Sequence, residues 1–442
     1  MKLPVIKGFD EAAFKKYLKN TGWLMAGRVG SMAIKMLTSI MVANYLLPDK
    51  NGILSSSTAY IFLFAALASL GLDSFIVKEL HQYPKNRDTI LGTSFLLKTF
   101  AGLVCLPLIY VAWVFFPLAD IPYVFILILS LSGVFQSLTI IDSYFQSEVK
   151  SKYIMQVQIV GNVISALVKL SLIFIFSAGL SYFIYAYVFD ILLISIGYVG
   201  VYQKQGLSVF QWKYDLTLAK KLIQMSWPLI ISGIMVSVYM KIDVIMLKEL
   251  LGKSGTAASG AYATVVMFSE ALNFVPVVIV SSLFPAILNA RRDDPQRYQK
   301  RLQNLFDLMV WLSVSFAIFI SLASPLIYKS FKPAFASAAP VLAVHVWGSL
   351  FVFLGVASSQ FLITEGYHKL TFIRTGAGAA INIVLNFLLI PKMGMMGTAI
   401  ATVIAYFSST FFVILIPKTR PQGMMMLRSL LLITVFQKLF KR

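Results

Sequence analysis

The sequence predicts an all-α integral membrane protein of about 12 transmembrane helices in two six-span halves. Three observations carry this. Of 442 residues, 58% are hydrophobic and 13% charged, against roughly 45–50% and about a quarter in soluble domains. The apolar residues gather in blocks of about 20 or more, the length that crosses a bilayer as a helix. The 38 Lys and Arg outnumber 18 Asp and Glu, and they alternate along the chain in a way that reports topology. The same composition excludes a disordered chain, a collagen-like fibre and a disulfide-stapled secreted module. Cys105 is the single cysteine, so no intramolecular disulfide is available.

Hydropathy windows of about 19 residues place the spans at 22–46, 53–77, 90–116, 122–144, 153–177, 180–202, 223–247, 259–287, 304–328, 340–363, 371–390 and 396–416. Turn and charge signals separate them, as in Leu47-Pro48-Asp49-Lys50-Asn51-Gly52 and Arg291-Arg292-Asp293-Asp294-Pro295. Residues 1–21 hold Asp10, Glu11 and five lysines and lack a small-residue cleavage pattern, so an amphipathic cytoplasmic segment is expected there rather than a signal peptide. Residues 22–202 form the first six-helix bundle, 203–222 a polar cytoplasmic linker, and 223–416 the second bundle. Residues 417–442 read as a basic interfacial tail. Within it Met424–Phe440 is too short to cross comfortably, with a partial thirteenth span as the alternative. Pro107, Pro228 and Pro276 interrupt spans 3, 7 and 8 as hinges or plain kinks. The Gly376-Ala377-Gly378 run in span 11 reads as close helix packing.

Counting Lys and Arg by alternate loops gives 27 on the side that includes both termini and six on the other. Short basic loops stay cytoplasmic, so both termini are expected inside. Five cations remain within spans: Arg28, Lys35, Lys98, Lys169 and Lys241. Each costs at least about 2.5–3.5 kcal/mol at mid-bilayer, so each calls for a cavity, a partner or snorkelling to the headgroups. Arg28 and Lys35 are seven residues apart and share a helix face. They lie roughly 8 and 18 Å above the inner edge, with Lys98 about 12 Å into span 3 and Lys169 roughly 24 Å along span 5. Spread over the membrane's depth, the five form a candidate cationic path for an anionic cargo.

The deep carboxylates are Asp190, Asp243 and Glu270, with Asp73, Asp142 and Asp307 nearer span ends. They suit either ion coupling, to a proton or sodium gradient, or ion pairing with the five cations. Lys241 and Asp243, two residues apart, do not face each other on a helix, so each is expected to find a partner elsewhere, plausibly in the other half. His345 in span 10 reads as a packed histidine. No metal cluster or cofactor motif is present, and the basic residues are too dispersed among short loops for nucleic-acid binding.

Spans 1 and 7 both end in short Gly-containing outer turns, 46–52 and 250–255. Around the first, Asn44-Tyr45-Leu46-Leu47-Pro48-Asp49-Lys50-Asn51-Gly52 with Ala68-Ser69-Leu70-Gly71-Leu72-Asp73 resembles the opening hairpin of polysaccharide flippases. These are the O-antigen and capsule repeat-unit translocases of the multidrug/oligosaccharidyl-lipid/polysaccharide exporter superfamily. Lys241-Ile242-Asp243, Gly260-Ala261-Tyr262, Ser282-Leu283-Phe284-Pro285-Ala286 and Leu389-Ile390-Pro391-Lys392-Met393-Gly394 extend the resemblance to residue 416. Leu47 departs from it, since the family often has glycine before that proline. The resemblance implies two pseudo-symmetric bundles around a central cavity in a bacterial plasma (inner) membrane. It also implies a polyprenyl-pyrophosphate-linked oligosaccharide as cargo, membrane lipid around the protein, and the polysaccharide polymerase machinery as a partner. Two readings compete. A drug antiporter of the same superfamily would line its cavity with acids if its cargo were cationic. A membrane polymerase, ligase or glycosyltransferase would show a large extramembrane loop, and the longest outer loops here are about a dozen residues.

Overall fold

A computed structural model describes residues 11–431. Sixteen helices make up nearly all of them, with no strand among the described residues. In the first half they are α1 (Glu11–Phe62), α2 (Ala65–Ser69), α3 (Asp73–Gln82), α4 (Arg87–Phe115), α5 (Tyr123–Phe135), α6 (Ile140–Ser147), α7 (Ser151–Phe174) and α8 (Leu180–Lys204). The second half holds α9 (Leu216–Leu250), α10 (Gly255–Ser269), α11 (Phe274–Asp293), α12 (Pro295–Lys329), α13 (Ala338–His345), α14 (Gly348–Thr364), α15 (His368–Phe411) and α16 (Arg420–Leu430).

Ten helical runs among the described residues are long and apolar enough to cross a membrane. Two of them, Met25–Phe62 and Lys369–Leu415, have 38 and 47 residues, more than one crossing of about 20 residues requires. Each is interrupted by a single non-helical residue, Leu47 (φ 63°, ψ 168°) or Gly394 (φ 55°, ψ −133°). At Gly394 the chain doubles back. A Cβ on Gly397 would lie 2.4 Å from Leu389 O, whereas eight residues of straight helix rise about 12 Å. Spans 11 and 12 are therefore joined without a loop, and spans 1 and 2 likewise run on from one another with Leu47 as the only non-helical residue between them.

Four spans depart from regular α-helix. Span 2 breaks between α2 and α3, at Leu70 and Gly71, both with positive φ. Span 4 breaks between α5 and α6 at a 3-10 turn, Gln136–Thr139. Span 8 is interrupted by turns at 270–273, and span 10 tightens at 346–347, where both residues keep right-handed helical dihedrals. Counted in sixes, span 8 is the counterpart of span 2, and span 10 of span 4. The internal repeat, weak at residue level, is thus written in where the helices turn irregular. Pro276 lies inside span 8 as expected, in the first turn of α11, just after the interruption. There its missing N–H leaves no helical bond unmade. Pro107 and Pro228 remain inside α4 and α9.

The chain folds into two compact units, one from residues up to Tyr45 with Tyr60–Ser237, the other from Leu46–Ala59 with the residues from Val238. The N-terminal unit packs around Leu72, Ile76, Leu91, Ile140, Phe145 and Tyr202, all fully buried. Residues 203–222 pack onto this unit. Lys213 N donates to Asp88 O at 3.1 Å, Asp215 N to Thr93 Oγ1 at 3.0 Å, and Trp212 Nε1 to Tyr202 Oη at 3.3 Å. Lys221 Nζ pairs with the buried Glu79 at 2.8 Å.

The C-terminal unit packs around Phe306, Met309, Leu354, Val413 and Met426. Its last described helix, α16, docks on protein through a buried face. Met426 is fully buried, and Ser429 Oγ donates to Asp307 at 2.7 Å. Residues 1–10 and 432–442, which carry much of the expected amphipathic N-terminus and tail, lie outside the described residues. From Glu11 the helix runs unbroken into span 1.

Within this unit α10 crosses the Leu47–Gly52 turn backbone to backbone. Asn51 Nδ2 donates to Gly260 O at 2.8 Å, and a Cβ on Gly260 would sit 2.0 Å from Pro48 O. Positive φ at Leu47 costs a side-chain-bearing residue roughly 1–3 kcal/mol, which gives a physical reason for glycine there. Leu47→Gly is expected to raise the thermal unfolding midpoint in detergent, by about 1 kcal/mol of stability. Gly260→Ala is expected to lower it, because Pro48 O must move; a midpoint unchanged in both variants would contradict the geometry.

Candidate functional site

Four of the five intramembrane cations belong to the N-terminal unit, and the structure gathers them into two groups. α1 buries Gly27, Ser31, Thr38 and Val42, and Arg28 and Lys35 stand at the edge of that face, both exposed. The first group forms where span 2 is broken. The break sets Asp73 at the start of α3, and Lys98, 3% exposed on α4, donates to its Oδ1. Asp142 of α6 accepts from Gln146 at 2.9 Å. It lies within electrostatic reach of Arg28, Lys98 and Asp73.

The second group joins α7 and α8. Lys169 Nζ donates to Asp190 Oδ2 and lies 3.1 Å from Ser165 Oγ. Lys35 is within electrostatic reach of both Lys169 and Asp190. Asp190 Oδ1 is buried without a hydrogen-bond partner among the described residues. Two cations are therefore matched by carboxylates. Arg28 and Lys35, about 10 Å apart along α1, close no ion pair with another described residue.

The C-terminal unit is organised differently. Asp243, 5% exposed on α9, finds its partners within its own unit and not in the other half, and none of them is a cation. Asn386 Nδ2 donates to its Oδ1 at 2.7 Å, Thr402 Oγ1 lies 2.5 Å from Oδ2, and Tyr262 Oη donates at 3.3 Å. Asn382 accepts from Asn386 at 3.0 Å. Asn386 Oδ1 and Asn382 Nδ2 are buried and unpartnered among the described residues. The carboxylate is thus held by neutral dipoles, in a ring of amide and hydroxyl groups.

Glu270 stands at the break between α10 and α11, within electrostatic reach of Lys241 and Asp243. His345 ends α13 beside the tightened turn of span 10, edge-on to Tyr262 at 5.6 Å between ring centres. It is buried as expected, with Nδ1 unpartnered among the described residues.

Several polar residues of this unit escaped the sequence reading. Arg374 was counted as a loop cation, yet it is 5% exposed. It donates to Gly355 O at 2.8 Å, to Ser358 Oγ at 3.3 Å and to Ser359 Oγ. Asn382 with Asn386 and Thr398 with Thr402 carried a signal that went unread: amides and hydroxyls spaced four apart share a helix face.

A helical membrane protein of two six-span repeats, with irregular second and fourth spans and charge held within the spans, has the architecture of a transporter. Residues 17–291 match the polysaccharide biosynthesis protein family, and residues 228–388 match the MatE family. The first match covers well over half of the chain, which belongs to the polysaccharide biosynthesis protein family.

The fold is shared with solved transporters at low sequence identity. An inward-facing multidrug resistance MATE family transporter of the MOP superfamily superposes with a TM-score of 0.73 and 14% identity, over 90% of this chain and 96% of the other. The lipid II flippase MurJ in an inward closed conformation gives 0.69 and 15%, over 96% and 93%. A MOP superfamily transporter from Pyrococcus furiosus, described as having a binding pocket of reverse polarity, gives 0.61 and 12%, over 92% and 96%. An uncharacterised membrane protein of Methanocaldococcus jannaschii is 34% identical over 82 residues, a match spanning 19% of this chain and 16% of that relative's length.

The Lys169–Asp190 pair yields a test of the site. Asp190→Ala leaves Lys169 and Lys35 as uncompensated like charges, so the thermal midpoint is expected to fall. Combining Lys169→Met with Asp190→Leu is expected to recover most of the loss. A double variant as unstable as Asp190→Ala would show that the pair does not balance as described.

Proposed function

We propose that the chain flips a lipid-pyrophosphate-linked oligosaccharide from the cytoplasmic to the outer leaflet by alternating access, for surface polysaccharide synthesis, without covalent catalysis. The observation that carries this reading is the exposed Arg28 and Lys35, two helical turns apart on α1 and unmatched by ion pairs among the described residues. Lys98 and Lys169 are already committed to Asp73 and Asp190. A pyrophosphate is the complementary cargo. Arg28 offers it a planar fork of donors and Lys35 a mobile point charge. Membership of the polysaccharide biosynthesis protein family supports the same reading. With the basic loops cytoplasmic, both termini face the cytoplasm and Arg28 lies nearer the entry side than Lys35.

Asp243 is the coupling group in this proposal. Its ring of neutral groups would close on a proton or a sodium ion, which would cancel the charge that Asn386, Thr402 and Tyr262 now only solvate. Export of a small molecule is the second reading, supported by the MatE match over 228–388. For a cationic drug it requires acids facing the cargo, whereas the N-terminal unit binds Asp73 and Asp190 to lysines and leaves cations exposed.

Deleting the gene is expected to accumulate lipid-linked repeat units inside the cell; their absence would exclude this cargo. Lys35→Ala is expected to reduce surface glycan by about tenfold to a hundredfold, the loss of one charge-assisted contact, at unchanged membrane abundance. Lys35→Arg should retain more glycan than Lys35→Glu, and equal activity of the two would refute a charge requirement. Asp243→Asn should leave cargo binding in place and remove the dependence of transport on an ion gradient, measured in vesicles with and without imposed proton and sodium gradients.

A further inference from the structure

On the same α7–α8 seam as the Lys169–Asp190 pair, and running from it towards Lys204, the N-terminal unit has a groove of about 520 Å³. Its floor is set by glycine. A Cβ on Gly197 would lie 2.6 Å from Val157 Cγ1, and one on Gly161 would lie 3.1 Å from Ile194 Cγ1. The walls are apolar and open, with Val160 and Ile196 each 57% exposed. Gly200 keeps one stretch open, since a Cβ there would meet nothing within 4 Å. The α8 lining recurs at Leu193, Ile196, Gly200 and Lys204, one face of the helix.

Two features identify the occupant. From Leu193 to Lys204 the groove rises about 16 Å, about half of a hydrocarbon core of roughly 30 Å, so it matches a chain of one leaflet. Between its polar ends the lining is Val, Ile, Leu and Gly, which gives water no partners and suits hydrocarbon. Its single cation, Lys204, lies in the last turn of α8, with Gln156 of α7 as a second polar group in the lining. At the start of α7 the Lys152 ammonium sits 5.5 Å from the centre of the Trp23 ring, a tryptophan–lysine contact of the kind found at headgroup level.

We propose that this groove is a binding site for an anionic phospholipid of the leaflet on the Lys204 side, with one acyl chain along Gly200 and the phosphate on Lys204. Charge complementarity selects the headgroup and the length of the groove selects a single-leaflet chain. The site stands independently of the cargo proposed above.

The test uses the purified full chain, reconstituted in vesicles of equal phosphatidylglycerol and phosphatidylcholine and then examined by native mass spectrometry. The wild type is expected to retain a lipid with about fivefold preference for phosphatidylglycerol, the selectivity one lysine supplies near a membrane surface. Lys204→Gln should retain lipid without that preference, and Gly200→Phe should lose it. Val160→Trp fills the same groove from an exposed position, should Gly200→Phe fail to fold. Equal retention of both lipids by the wild type, or unchanged retention in the filled variants, would overturn the proposal. Displacement of the phospholipid by added polyprenyl phosphate would overturn it as well, by making an isoprenoid the occupant.

Discussion

A full charge in hydrocarbon is the interaction on which this structure turns. At a cost of at least about 2.5–3.5 kcal/mol per cation at mid-bilayer, each intramembrane charge must be matched, solvated or turned to a use. The protein employs all three. Lys98 and Lys169 are matched by Asp73 and Asp190. Asp243 is solvated by amides and hydroxyls from α10 and α15. Arg28 and Lys35 remain exposed, and these are the charges whose cost a passing anion would offset.

The helix breaks make this distribution feasible. A continuous helix satisfies its backbone internally and presents only side chains. By stopping spans 2 and 8, the chain ends a helix inside the membrane and brings a carboxylate to the same place, Asp73 after the first break and Glu270 at the second. Spans 4 and 10 carry a tightened turn at corresponding places, with His345 beside the second. Discontinuous helices in corresponding positions of two repeats are a recurrent setting for substrate and ion sites in transporters.

Much of this was legible in the sequence, and what was not has physical causes. Hydropathy located the spans because burial in lipid leaves a long, unambiguous apolar signal. It read the polar Pro48–Gly52 stretch as a loop, whereas these residues are helical and the change of direction rests on Leu47 alone, as it does on Gly394 between spans 11 and 12. The intramembrane cations were found by their depth, but their pairing was not, because Lys98 and Asp73 are 25 residues apart and meet only through tertiary packing. Arg374 was missed because it lies at the edge of a span, where a loop residue and a buried one look alike. The Asp243 ring was half visible: the carboxylate drew attention, while neutral asparagines and threonines at helical spacing carry no hydropathy penalty large enough to stand out.

The central claim is that the cargo is recognised by its negative charge. It is tested most directly by reconstituting the purified protein in vesicles and measuring translocation of one oligosaccharide on two lipids, a polyprenyl pyrophosphate and an uncharged polyprenyl glycoside. Transport of the pyrophosphate-linked form is expected, with little or none of the neutral form. Equal rates for the two would contradict it.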